Sequence, residues 1–110
     1  YLIFNEALKY DTVNEIISMT SYDTVYTDKN GSEKTLSVKN TNQYLAGNVA
    51  APDRVTVIGG KTGTTSAAGN CLILLARDTS GNPYIAVILK SAERGILYTE
   101  MNALLKQATS

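Results

Sequence analysis

Val55-Thr56-Val57-Ile58-Gly59-Gly60-Lys61-Thr62-Gly63-Thr64-Thr65-Ser66-Ala67-Ala68-Gly69 is the stretch on which the reading of this 110-residue chain turns. Its first residues are apolar and β-branched, the composition of a strand. The strand carries Lys61, Thr62 and Gly63 at its end. Lys61 supplies a point charge and three donors, and Thr62 a hydroxyl. Gly63 has no side chain, so another backbone can lie close to it. Together they form a surface on which an extended peptide can add as a further strand, held by main-chain hydrogen bonds. Lys61 and Thr62 would then take a terminal carboxylate, and the Thr64 N–H would face a carbonyl that becomes an oxyanion.

Gly60-Lys61-Thr62 also imitates the end of a phosphate-binding loop. That motif needs a Gly where Val55 stands and a helix starting at the Lys, and Gly63 follows almost at once. A nucleotide site is excluded on both counts. Taken alone, the triplet is a short and common sequence that also fits a plain strand-end turn. The residues around it decide between the readings.

From Asn40 onward the chain resembles the D-alanyl-D-alanine carboxypeptidases, the low-molecular-mass penicillin-binding proteins. The resemblance rests on Asn40-Thr41-Asn42-Gln43-Tyr44-Leu45 and on Gly60-Lys61-Thr62-Gly63-Thr64-Thr65-Ser66-Ala67-Ala68-Gly69-Asn70-Cys71-Leu72, followed by two apolar strands and a final helix. It implies that residues 1–110 are the C-terminal portion of a catalytic domain of that family, a partial β-lactamase/transpeptidase-like fold. The implied chemistry is a serine acyl-enzyme route that trims peptidoglycan stem peptides and is blocked by β-lactams. The implied site residues are Lys61, Thr62, Gly63 and Thr64, with Lys61, Thr62 and Thr64 binding substrate. No cofactor and no metal are implied, and the implied location is outside the cytoplasm, in the cell envelope.

The chain departs from the family in one respect. No serine here is followed by Lys at the third position, and the one Ser-x-Asn spacing, Ser80-Gly81-Asn82, falls in the turn between the apolar runs 70–77 and 84–90. The Ser-x-x-Lys nucleophile is therefore missing, and these residues alone are expected to be inactive. A β-lactamase of the same superfamily and a noncatalytic wall-binding module remain the alternatives. The Thr-Thr-x-Ala-Ala-Gly continuation favours the carboxypeptidase over the first. A Ser-x-x-Lys motif upstream would favour the enzyme over the second.

Composition narrows the field further. Ten basic residues balance ten acidic ones, which argues against nucleic acid or an anionic membrane as partner. There is no His, which removes a Ser-His-Asp triad and makes zinc or iron sites poorly supplied. Cys71 is the only cysteine and lies in an apolar run, where a buried structural thiol is expected. The apolar opening Tyr1-Leu2-Ile3-Phe4 and the implied missing N-terminal lobe lead to the expectation that the chain self-associates or binds that lobe.

Periodicity gives an α+β layout, an antiparallel sheet backed by helices. Residues 2–9 have helical spacing with Leu2, Ile3, Ala7 and Leu8 on one side. Asp11 is the expected N-cap of a helix over 12–19 that buries Val13, Ile16, Ile17 and Met19. A hairpin over 23–38 turns at Asn30-Gly31 and is expected to pack as plain sheet. The polar stretch 39–54 should be irregular, with Asn40 and Asn42 bracing it. Strands follow at 55–62, 70–77 and 84–90, the last two apolar enough to be covered on both faces. A helix over 93–107 places Ile96, Leu97, Met101, Leu104 and Leu105 on its buried stripe. Glu93, Arg94 and Lys106 are expected to be solvated charges.

Overall fold

Eight elements follow one another in the computed structural model, which describes all 110 residues. They are α1 (Leu2–Ala7), α2 (Asp11–Ser18), β1 (Ser21–Thr27), β2 (Glu33–Lys39), β3 (Val55–Thr65), β4 (Gly69–Asp78), β5 (Pro83–Ser91) and α3 (Arg94–Ala108). The fold is α+β, with two antiparallel sheets: a separate β1–β2 hairpin and a three-stranded sheet in the order β3-β4-β5. β3 therefore has one edge that no strand of this chain pairs.

The core lies between the sheet and α3. Alternate residues of a strand face one side, and here Leu72, Leu74 and Ala76 of β4 with Ala86 of β5 meet Leu97, Tyr98, Met101 and Leu105 of α3. Tyr98 takes the place expected of Ile96 and Leu104, which are exposed at 43% and 37%. The helix is rotated so that the Tyr98 ring packs edge-on against Tyr44 and its hydroxyl accepts the Gln43 N–H. Burial pushes the Tyr44 hydroxyl up to about 12, with Tyr98 adding to it, and Tyr44 donates to Asn102 Oδ1 at 2.8 Å.

α2 packs on β3 at Gly59, on the face away from α3. The fit is backbone to backbone: a Cβ on Gly59 would stand 2.7 Å from the Ile17 carbonyl oxygen. The strand is irregular there, with a register shift between Val57 and Gly59. Gly60 is equally constrained, since its Cβ would stand 2.2 Å from the Ile73 oxygen. The expected cover of β4 and β5 on both faces is not made: α3 backs one face, whereas α2 packs mainly against β3 and leaves the other face of β4 and β5 partly open. Ile73, Ile85 and Val87 are only half-buried.

Three expectations fail in the N-terminal part. Asp11 is the first residue of α2, and the cap position is Tyr10, without a side-chain cap. Ile16 is 60% exposed, because α2 meets β3 along the Ile17 side alone. The hairpin pairs only with itself and leaves Tyr22, Val25, Tyr26, Leu36 and Val38 exposed, rather than joining a packed sheet. Leu2 and Ile3 of α1 also face solvent.

Two of the three hairpin turns, β1–β2 and β4–β5, are made in one way. Asp28 Oδ1 accepts from the Asn30 and Ser32 N–H groups, and Gly31 takes φ +80°. Asp78 Oδ1 accepts from Ser80 and Asn82, and Gly81 takes φ +82°. An Asp at the first position and a Gly in the left-handed region close each turn.

Candidate active site

The Lys-Thr-Gly triplet lies near the end of β3, which runs three residues beyond the expected limit, to Thr65. Gly63 pairs with Cys71, Thr62 with Leu72 and Lys61 with Ile73. Alternation puts Thr62 and Thr64 on the α3 face and Lys61 and Gly63 on the other. The site is therefore two-sided, and the strand's unpaired edge runs between its halves.

On the α3 face a cavity of about 140 Å³ is lined by Thr41, Gln43, Thr62, Thr64, Asn70, Cys71, Arg94, Leu97 and Tyr98. Thr62 Oγ1 lies 2.6 Å from Thr41 Oγ1. Thr64 Oγ1 donates to Asn70 Oδ1 at 3.2 Å. Thr41, Thr62 and Arg94 thus border a small polar hollow of a kind suited to a carboxylate, the Thr64 proton being taken by Asn70.

Arg94 reaches this hollow through a local distortion. Lys90 takes φ +61°, a conformation uncommon for a residue with a side chain. The β4–β5 register shifts between Asn70 and Leu72. Asn70 Nδ2 donates to the Ser91 and Ala92 oxygens at 3.2 and 3.4 Å. The end of β5 is so held against the start of β4, and the first turn of α3 opens beside Thr62. Arg94 remains exposed, as the sequence reading has it, but it also lines the site. It has no carboxylate partner, because the one ion pair of the chain joins Lys9 and Glu6.

Lys61 does not line the hollow. Its ammonium turns back along the strand and donates to the Thr62 carbonyl at 2.5 Å. Gly63 has nothing within 4 Å of the place where a Cβ would be, and its φ is not positive. Neither backbone conformation nor packing within this chain calls for glycine there.

The loop ahead of β3 forms the floor. Asn40 Nδ2 donates to the Met19 oxygen at 2.7 Å, and Asn40 Oδ1 accepts the Asn42 N–H at 2.9 Å. Asn42 is fully buried and its Oδ1 accepts the Tyr44 N–H. Both asparagines brace the loop, as expected. Cys71 differs from expectation. It is half-buried at the mouth of the hollow, with its thiol against the Ala68 oxygen at 3.4 Å.

A family model described as D-alanyl-D-alanine carboxypeptidase matches residues 3–93. The chain belongs to the D-alanyl-D-alanine carboxypeptidase family. A solved structure described as the R248L mutant of Streptomyces K15 DD-transpeptidase superposes with a TM-score of 0.75 at 26% identity. That match covers 90% of this chain and 36% of the other, so this chain spans about a third of the length of its structural relative. No curated protein matches the chain. Members of this family are peptidoglycan enzymes of the cell envelope. No helix here is long and apolar enough to cross a membrane.

Proposed function

We propose that this chain is the substrate-binding wall of a serine-type DD-peptidase. In this reading the whole protein removes the terminal D-Ala from peptidoglycan stem peptides. The nucleophilic serine and its lysine come from residues outside these 110. The observation that carries the proposal is Gly63: a glycine with open space above it, on a strand with an unpaired edge, beside a polar hollow. A site that the fold does not require to be glycine is accounted for by a ligand backbone lying against it.

The roles then divide by face. The stem peptide adds to the open edge of β3 as a short antiparallel strand. Its terminal carboxylate enters the hollow, where Thr62 supplies a hydroxyl and Arg94 a guanidinium fork. Lys61, on the other face, brings positive charge toward the side where the serine attacks. The Thr64 N–H serves the oxyanion formed when that serine adds to the D-Ala-D-Ala carbonyl. Collapse of the adduct expels D-Ala and leaves an acyl-enzyme, which water hydrolyses. The protein acts outside the cytoplasm, where its substrate is.

Labelling with benzylpenicillin tests this. The 110-residue chain gains no covalent mass. The intact protein, with its Ser-x-x-Lys segment, gains one penicilloyl group per molecule, and D-Ala-D-Ala peptides compete with the label. A stoichiometric adduct on the short chain, or none on the intact protein, overturns the proposal.

A further inference from the structure

Thr41 lies outside the Lys-Thr-Gly triplet, on the loop between β2 and β3, yet its hydroxyl oxygen is 2.6 Å from that of Thr62, 21 residues away in sequence. Each hydroxyl carries one proton and two lone pairs. At that separation only one of the two protons lies between the oxygens, and which one decides what the hollow offers. If Thr62 donates to Thr41, Thr62 faces the hollow with lone pairs alone and repels a carboxylate. If Thr41 donates to Thr62, the Thr62 proton is left for the ligand.

The loop holds Thr41 in place for this contact. Asn40 and Asn42, on either side, are tied to the end of α2 and to the following turn. The Thr41 carbonyl accepts from Gln43 Nε2 at 3.2 Å, and the Gln43 N–H is fixed on the Tyr98 hydroxyl at 3.0 Å. The backbone of Thr41 is therefore pinned from both sides. Its hydroxyl makes one hydrogen bond within the protein, to Thr62.

We propose that Thr41 is a positioning residue: it donates its hydroxyl proton to Thr62 Oγ1 and so aims the Thr62 proton at the terminal carboxylate of the bound peptide. The inference rests on the carboxylate-binding reading given above. A hydroxyl that accepts one hydrogen bond also becomes the stronger donor in the next, so the pair works as a short polarised chain ending on the anion.

The test uses the 110-residue chain and two probes, N-acetyl-D-alanyl-D-alanine and its C-terminal carboxamide, titrated by amide NMR. The unaltered chain prefers the carboxylate. Thr41→Val keeps the side-chain shape without the hydroxyl, and lowers carboxylate affinity about fivefold, the scale of one polarised hydrogen bond. Its affinity for the carboxamide stays the same, and Thr41→Ser recovers the preference. The three-bond Hα–Hβ coupling of Thr62 reports one rotamer in the unaltered and Ser forms and an average in the Val form. Thr41→Ala repeats the comparison should Val disturb the loop. Retained carboxylate preference in Thr41→Val, or equal loss of both probes, overturns the positioning role while leaving the site reading intact. If the unaltered chain does not distinguish the two probes, the site reading itself fails and this inference falls with it.

Discussion

Alanine at Gly60 and alanine at Gly63 should have opposite effects on stability, although the two positions are three residues apart on one strand. At Gly60 the new Cβ would stand 2.2 Å from the Ile73 oxygen and 2.8 Å from Leu74 Cδ2. Relief of that overlap to an ordinary contact near ~3.5 Å needs β3 and β4 to separate locally by roughly 1 Å. Such a shift stretches the adjoining ladder hydrogen bonds from about 2.9 Å past the range in which they hold. Overpacking costs about 1–3 kcal/mol and a lost hydrogen bond about 1 kcal/mol, against a backbone-entropy gain of about 0.5–1 kcal/mol. The net destabilisation is about 2–3 kcal/mol. At Gly63 nothing lies within 4 Å, so only the entropic gain remains and the variant is about 0.5–1 kcal/mol more stable. Urea unfolding followed by circular dichroism measures both, with unchanged slope as the check on two-state behaviour. In the intact protein, Gly63→Ala should also slow acylation, because its methyl occupies the path of the substrate backbone. A Gly60→Ala variant as stable as the parent refutes the packing argument. Destabilisation by Gly63→Ala refutes the claim that this glycine is kept for a ligand.

Other expectations follow from the same geometry. In the intact protein, Arg94→Ala should reduce acylation efficiency at least about tenfold, since a charge-assisted hydrogen bond contributes roughly 1.5–3 kcal/mol, and Lys61→Ala should also reduce it, by removing positive charge from the side where the serine attacks. Arg77→Ala and Lys106→Ala, at exposed positions away from the hollow, should change it little; equal effects from all four would remove the site assignment. Hydrogen bonds from the Asn82 side chain and N–H hold the Asp78 carboxyl below its ordinary value, and the Tyr84 hydroxyl donating to it is raised in turn. A depressed carboxyl stabilises the fold above its unfolded pKa and loses that contribution as pH falls through the folded one. Asp78→Asn should therefore flatten the acid limb of a stability–pH curve, and an unchanged limb would show the turn to be unimportant there. Exposed Leu2, Ile3, Leu89 and the hairpin residues Tyr22 and Tyr26 leave apolar surface that should drive self-association or capture of a complementary helical lobe. Sedimentation at micromolar concentration showing a clean monomer that ignores such a lobe would count against it.

Much of the fold was legible because its signals are local. The near-continuous apolar runs in 70–77 and 84–90, the Asn30-Gly31 turn and the β-branched run before Gly59 each fix an element within a few residues. What escaped depends on partners distant in sequence. Ile16 has the same helical spacing as Ile17, and only the position of β3 decides which is covered. Tyr98 is buried in place of Ile96 because Gln43 and Tyr44 wait for its hydroxyl and ring. The triplet was readable as a motif, whereas the hollow beside Thr62 was not. Thr41 comes to it from the preceding loop and Arg94 from the start of α3, brought in by the irregular backbone at Lys90. A lone Arg at a helix start reads as a solvated charge, and no local pattern says otherwise.

The unpaired edge of β3 has a consequence for solubility as well as for binding. An open edge on an 11-residue strand is a template for any extended chain, including another copy of itself. This edge is not uniform. The bulge between Val57 and Gly59 bends it, and the charge of Lys61 stands beside the stretch that remains straight. A ligand of a few residues needs only that straight end, whereas a long β-strand would have to follow the bend and desolvate the lysine. The irregularity that gives α2 its seat thus also works as a length filter, admitting a peptide terminus while discouraging the sheet-to-sheet stacking that leads to aggregation.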